Sequence, residues 1–168
     1  GGFVYAGATM AFTTAYWVLG HYNPREIVFL GCDMFYPKTS ETHFYGTGTA
    51  DPLREDITLI SLEAKAARLY ALALAQGCEI TNLSKETSRL IAPRRSLSEP
   101  RPKPFKIDKV QKAHALAREQ ELAYYVKSGR YWEELERFDI KQIKRLDALW
   151  STVVIAPPQG VAAPMRSH

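Results

Sequence analysis

Two short apolar runs, residues 27–31 (IVFLG) and 78–83 (CEITNL), frame this chain. Each has the length of a strand, and a helical pattern fills much of the interval between them. Strands joined by a long crossover through a helix pair in parallel, whereas a hairpin needs only a tight turn. The spacing therefore predicts a β-α-β unit with buried strands. It also says where a ligand would sit, because open α/β sheets bind ligands outside the carboxyl ends of their strands. The loop that follows the first run, including HFYGTGTA at 43–50, falls in that place.

Around this unit, residues 3–5 predict a strand end. Thr9 suits the N-cap of a helix over 10–19, with Gly20 as its stop. Met10, Ala11, Phe12, Ala15, Tyr16, Trp17 and Leu19 leave that helix few polar positions, which predicts burial on most sides. Asn23-Pro24 marks a turn. Asp51-Pro52 is a helix-start pair, cap and first residue, for a helix expected over 53–76 and ended by Gly77. Ile57, Leu59, Ile60, Leu62, Ala66, Leu69, Ala73 and Leu74 give it a broad buried face, and Ser84 can cap a short turn after the second strand. Residues 92–105 (APRRSLSEPRPKPF) hold four prolines, which excludes a regular element and predicts a semi-rigid linker or lid. Beyond them the pattern predicts a charged helix over 106–127 broken by Gly129, a short helix over 131–138, and a last helix capped by Asp139. In that last helix Ile140, Ile143, Leu146, Trp150 and Val153 recur at helical spacing.

These elements make an α/β fold: a partial Rossmann-like parallel sheet with flanking helices, followed by a helical C-terminal region. The expected divisions are a Rossmann-like domain, incomplete at its N-terminus, over 1–91, the basic linker or lid over 92–105, helices over 106–156 and a loose tail over 157–168. The opening GGFVYAGATM lacks a leading strand–turn unit and reads as an entry partway through a domain.

A chain of 168 residues, 46% of them apolar, can build a real core. Its net charge of +4 is local, since residues 92–112 hold seven basic side chains against Glu99 and Asp108. A uniformly basic nucleic-acid binder has a different distribution. The aromatic interleaving that stacks single-stranded bases is also missing there, so nucleic acid is not an expected partner. Cys32 and Cys78 lie in apolar runs and read as free thiols rather than a disulfide or part of a zinc cluster. No apolar stretch reaches the roughly 18 residues of a membrane span, and no signal peptide is recognisable. The expected compartment is the cytoplasm. The basic segment suits peripheral contact with the inner face of a membrane, and a homo-oligomer is compatible with the composition.

Several side chains have types and positions suited to chemistry. His43 follows a strand end and can move a proton near neutral pH, or it can simply cap or pack in a surface loop. Tyr36 and Tyr45 offer hydroxyls to an anionic leaving group, Thr47 and Thr49 do so more weakly, and Gly46 and Gly48 let the backbone approach a ligand. Gly7, Ala8 and Thr9 open a helix whose N–H groups and dipole favour an anion. Asp33, directly after a strand, can bind a ribose hydroxyl or a metal, or hold the loop through backbone N–H groups. No second carboxylate is spaced to make a metal pair, and no metal is expected. Arg94, Arg95, Arg101 and Lys103 can close over a phosphate-bearing or acidic substrate, contact anionic lipid, or serve as a solvated connector. His21, His114 and His168 read as structural or inert.

The order GATMAFTTAYWVLG, EIVFLGCDMFY, THFYGTG, long helix, CEITNLS resembles the carboxyl-terminal part of the nucleotide domain of bacterial sialyltransferases. That group includes the Campylobacter lipooligosaccharide enzymes, and the resemblance covers about residues 5–91. It implies metal-independent, inverting transfer of a sialic-acid-type sugar from a CMP donor to a glycan hydroxyl, with no cofactor. Gly7, Ala8 and Thr9 match the family's nucleotide turn, Tyr36 (or Phe35, one residue of register away) its strand-end tyrosine, His43 its first loop histidine and Gly46 the loop glycine. Two positions depart. The family's second histidine, its base, falls on Thr47, and its loop tyrosine falls on Phe44, with Tyr45 one place later. Threonine is no general base at neutral pH, so either His43 has taken that role, or the chemistry differs, or the site is inactive. In the first case His43 removes the acceptor proton, Tyr36 and Tyr45 stabilise the departing phosphate oxygen, and Arg94 and Arg95 face the acceptor or form a lid. The alternative is a non-catalytic nucleotide- or partner-binding fragment. Rossmann-like domains of motility-accessory glycosyltransferases and of pterin pyrophosphokinases share the same layout.

Overall fold

The computed structural model describes residues 2–3, 9–34 and 60–156. Within them the chain is mixed α/β, with four α-helices and three two-stranded sheets. The β-α-β expectation holds at its centre for the pairing but not for the burial of the first strand, where only Phe29 is buried and Val28 and the following Leu30 are exposed. β2 (Glu26–Phe29) and β3 (Glu79–Asn82) pair in parallel, with Glu26 opposite Glu79 and Phe29 opposite Asn82. The other two sheets are antiparallel, β1 (Gly2–Phe3) with β5 (Tyr125–Val126) and β4 (Lys106–Ile107) with β6 (Val154–Ile155). Among the described residues the parallel sheet is thus two strands, not a wide parallel layer.

Helix α1 (Met10–Tyr22) is capped by Thr9, whose hydroxyl accepts from the Phe12 N–H at 3.2 Å. It does not stop at Gly20. It runs on to Tyr22, and Asn23 takes the left-handed cap at φ 46°, a conformation that Asn tolerates because its short polar side chain bonds locally. Nor is it buried on most sides. Phe12, Ala15 and Leu19 point inward, while Met10 and Trp17 are exposed.

Helix α2 (Leu62–Ala75) lies between two hydrophobic clusters. It begins at Ser61, whose Oγ accepts from the Ala64 N–H at 3.1 Å, so the helix expected over 53–76 does not run unbroken through residues 60 and 61; residues 51–59, with the expected start at Asp51 and Pro52, lie outside the described residues. Leu62, Ala66, Leu69, Tyr70 and Ala73 pack with α1, the parallel strands and Leu90. Ala64 and Ala71, on the other side, pack with Ala115, Tyr124, Val126, Ile143, Leu146 and Trp150. A helix covered all round needs small side chains where neighbours approach, and its alanines provide them.

The helical pattern expected over 106–127 divides. Lys106 and Ile107 form β4, and α3 (Lys109–Leu122) starts at Asp108, whose Oδ1 accepts from the N–H groups of Val110 and Gln111. It ends at Ala123, in the left-handed region at φ 48°, before Gly129 is reached. The short helix expected over 131–138 is two 3₁₀ turns, at Tyr131–Glu133 and Leu135–Arg137. Asp139 caps α4 (Ile140–Ser151) as expected, and Val153 is buried just past its end.

Two buried ion pairs join α2 to the later helices. Lys65 Nζ lies 3.1 Å from Asp147 Oδ1 on α4. Arg68 donates to both carboxylate oxygens of Glu119 on α3, Nε to Oε1 at 2.6 Å and Nη2 to Oε2 at 3.0 Å. Arg68 also donates to the Tyr16 hydroxyl, and Trp150 Nε1 donates to Glu119 Oε1 at 2.7 Å. The guanidinium lies over the rings of Tyr16 and Trp150. Residues of all four helices meet in this network.

Among the described residues no helix is long and apolar enough to cross a membrane. Cys32 and Cys78 are free thiols, and burial pushes both pKa values up.

Candidate functional site

The site is built at the carboxyl ends of β2 and β3. After β2 the chain turns through Gly31 at φ 69°, and Met34 is also left-handed, at φ 55°. For a non-glycine residue that backbone costs about 1–3 kcal/mol. Met34 is buried in the cluster beneath the sheet, so packing offsets the strain and fixes the direction of its neighbour Asp33.

Asp33 is held from the other strand. Its Oδ2 accepts from Ser84 Oγ at 2.6 Å, and its carbonyl accepts from the Arg89 N–H at 2.8 Å. Its Oδ1 is buried and has no hydrogen-bond partner among the described residues. Ser84 is placed by Asn82, which is fully buried at the end of β3. Asn82 Oδ1 accepts from the Ser84 N–H at 2.9 Å, and its Nδ2 donates to Ser88 Oγ at 3.1 Å. Arg89 then anchors the loop to the first turn of α2 through a two-pronged bond to Glu63, at 2.5 and 2.8 Å. This bond, outweighing the effect of burial, lowers the Glu63 pKa.

The proline-rich segment is tied to the same edge. Asn82 donates its N–H to Pro93 O at 2.9 Å and accepts from the Arg95 N–H at 3.2 Å, forming a one-residue parallel bridge to Arg94. Prolines prevent a longer ladder, but the two arginines between them retain their donors. At the far end the Phe105 N–H donates to the buried Tyr70 hydroxyl at 2.8 Å. The segment is therefore laid along the fold and bonded to it at both ends. Between Ser84–Lys85 and Arg94–Ser96 it leaves a cleft of about 270 Å³.

The two expected arginines separate here. Arg95 is mostly buried and structural, with Nη2 3.1 Å from Glu26 Oε1 and Nη1 3.4 Å from Ser96 O. Burial would raise the Glu26 pKa, but the hydrogen bonds from Thr81 and Arg95 and the charges of Arg95 and Arg101 bring it below its ordinary value. Arg94 is exposed, donates Nη1 to Glu86 O at 2.8 Å, and lines the cleft.

Of the other expected site residues, Thr9 is at its helix start with its hydroxyl engaged as the cap. Gly7, Ala8, Tyr36, His43, Tyr45, Gly46 and Thr47 lie outside the described residues, as do Phe35, Phe44, Gly48 and Thr49. The structure brings Asp33 and Arg94 to the same sheet edge. It adds Asn82, Lys85 and Ser88, which motif reading passed over, and Ser84, which was expected to cap a short turn and instead bonds Asp33. The run TNLS after a strand was the available signal, since Asn and Ser two residues apart make Asx-type turns. Among the described residues no group of three or more His, Cys, Asp or Glu side chains is placed to hold a metal. The chain matches no protein-family model, no curated protein and no solved structure.

Proposed function

We propose that this carboxyl-end surface binds a nucleotide-activated sugar, and that the chain is the Rossmann-like donor-binding part of a glycosyltransferase. The finer reading is transfer of a sialic-acid-type sugar from a CMP donor to a glycan hydroxyl, inverting and without a metal. The carrying observation is Asp33: a carboxylate just past the carboxyl end of the parallel strand β2, one oxygen held by Ser84 and the other buried without a donor among the described residues. A ribose or sugar hydroxyl would supply that donor, as at the strand ends of other open α/β sheets. The motif resemblance supports the same assignment. In it His43 takes the acceptor proton and Tyr36 and Tyr45 stabilise the leaving phosphate, in a stretch beginning two residues after Met34.

Thr47, in place of the resembling family's second histidine, favours a second reading, a non-catalytic nucleotide- or partner-binding module. Calorimetric titration with CMP, UMP and GMP tests the shared part. Selective CMP binding that Asp33→Asn weakens about tenfold, the loss of one charge-assisted hydrogen bond, supports it. Failure to bind any nucleotide contradicts both nucleotide readings. Release of CMP from a CMP-sugar, falling about 10²- to 10⁴-fold in His43→Ala, distinguishes the enzyme from the binding module.

A further inference from the structure

We propose that the cleft beside the parallel pair is a phosphoryl-anion subsite, with Lys85 and Arg94 as its ligand-binding cations. It deepens the donor-binding reading, because Ser84 joins the cleft wall to Asp33.

The cleft is a consequence of the Asn82–Arg94 bridge, which sets two polar segments side by side. Its volume, about 270 Å³, is just below the range of roughly 300–1,000 Å³ typical of small-molecule pockets. It therefore suits a phosphate-bearing head group better than a complete nucleotide sugar.

Its charges select an anion. Three cations, Lys85, Arg94 and Arg95, face one carboxylate, Glu99. Arg95 is balanced by Glu26. Glu99 is turned onto the Ser96 N–H at 2.6 Å, and that backbone bond lowers its pKa. Neither Lys85 nor Arg94 has a carboxylate partner among the described residues, and Arg94 bonds only a carbonyl there. A guanidinium offers five donors in a planar fork that matches phosphate oxygens, so most of its donors remain for a ligand. Ser96 adds a hydroxyl in the wall, whereas the single proton of the Ser84 hydroxyl is given to Asp33. Behind it Arg95 Nε is buried with no acceptor among the described residues. Buried donors without partners are rare in folded proteins and commonly mark an absent water or ion.

Titration of the whole chain with sodium phosphate, followed by ³¹P and amide NMR against sodium acetate at equal ionic strength, tests this. Phosphate is expected to bind more tightly than acetate and to weaken as salt is raised. Lys85→Gln and Arg94→Gln should each weaken it about twofold to fivefold, and the pair about tenfold, the scale of exposed charge contacts. Lys85 makes no other described bond, so its variant tests the site even if Arg94→Gln disturbs the turn at Glu86. Phosphate binding that is absent, or undiminished in the double variant, overturns the proposal. A CMP titration separates the two readings. If phosphate responds to the substitutions while CMP does not bind at all, the subsite stands and the donor reading fails. If CMP binds while phosphate is indifferent to the substitutions, the subsite fails and the donor reading stands.

Discussion

At the scale of residues, the structure is held by a few charges placed where water cannot reach them. Glu119 serves as acceptor for Arg68 and Trp150 at once, and Arg68 also holds Tyr16. Burial raises the Tyr16 pKa, against the lowering effect of Arg68, so its phenol stays neutral. Removing one member of such a network leaves a buried charge uncompensated. Glu119→Leu is expected to cost about 3–5 kcal/mol, whereas Arg68→Met with Glu119→Leu should recover much of that loss. Urea unfolding of the single and double variants measures both. Acid sensitivity follows from Glu26 and Glu63, whose folded pKa values are lowered from 4.5. A lowered carboxylate contributes stability fully above its unfolded pKa, and that contribution is lost as pH falls through the folded value. The urea midpoint should therefore fall below about pH 4.5. The fall should be shallower in Arg89→Gln, which removes the hydrogen bond that lowers Glu63.

At the scale of elements, helix starts carry the local specification. Asp108→Ala and Asp139→Ala should each destabilise by about 1 kcal/mol, because each carboxylate accepts an orphan N–H of its helix. Differential scanning calorimetry would show both. These elements also show what was legible in the sequence. The parallel pair was, because two strand-length runs separated by a helical pattern permit little else. Asp139 was, because it stands directly before a periodic apolar run. Asp108 was missed because Lys106 and Ile107 fit the helical period, and only pairing with Val154 and Ile155, far along the chain, makes them a strand. Ser61 was obscured by the stronger start signal at Asp51-Pro52. The burial of α1 was overestimated because composition records how apolar a helix is, not which neighbours reach it. Asp33 and Arg94 were visible as charged residues beside strand or proline signals. The roles of Asn82 and Ser84 depend on contacts to residues about fifty positions away and on one tight turn, neither of which a motif records.

At the scale of the whole molecule, the chain after the proline-rich segment shares its core with the part before it. Trp150, Leu146 and Ile143 pack with Ala64 and Ala71, while Lys65 and Arg68 find partners on α4 and α3. A chain ending after residue 104 would expose that face of α2 and strand two buried cations. It should show no cooperative thermal transition by circular dichroism, and a sharp melt would mean that the first half folds by itself. This shared core gives the carboxyl-end site a rigid base, since α2 carries Glu63, which anchors the loop over Asp33 through Arg89. The central claim is that this edge binds a phosphate-bearing nucleotide. The most direct measurement is amide NMR mapping of the whole chain during a CMP titration. Saturating shifts centred on Asp33, Ser84, Lys85 and Arg94, absent with cytidine at the Lys85 and Arg94 end, are the predicted result. Shifts centred elsewhere, or none at millimolar CMP, would contradict it.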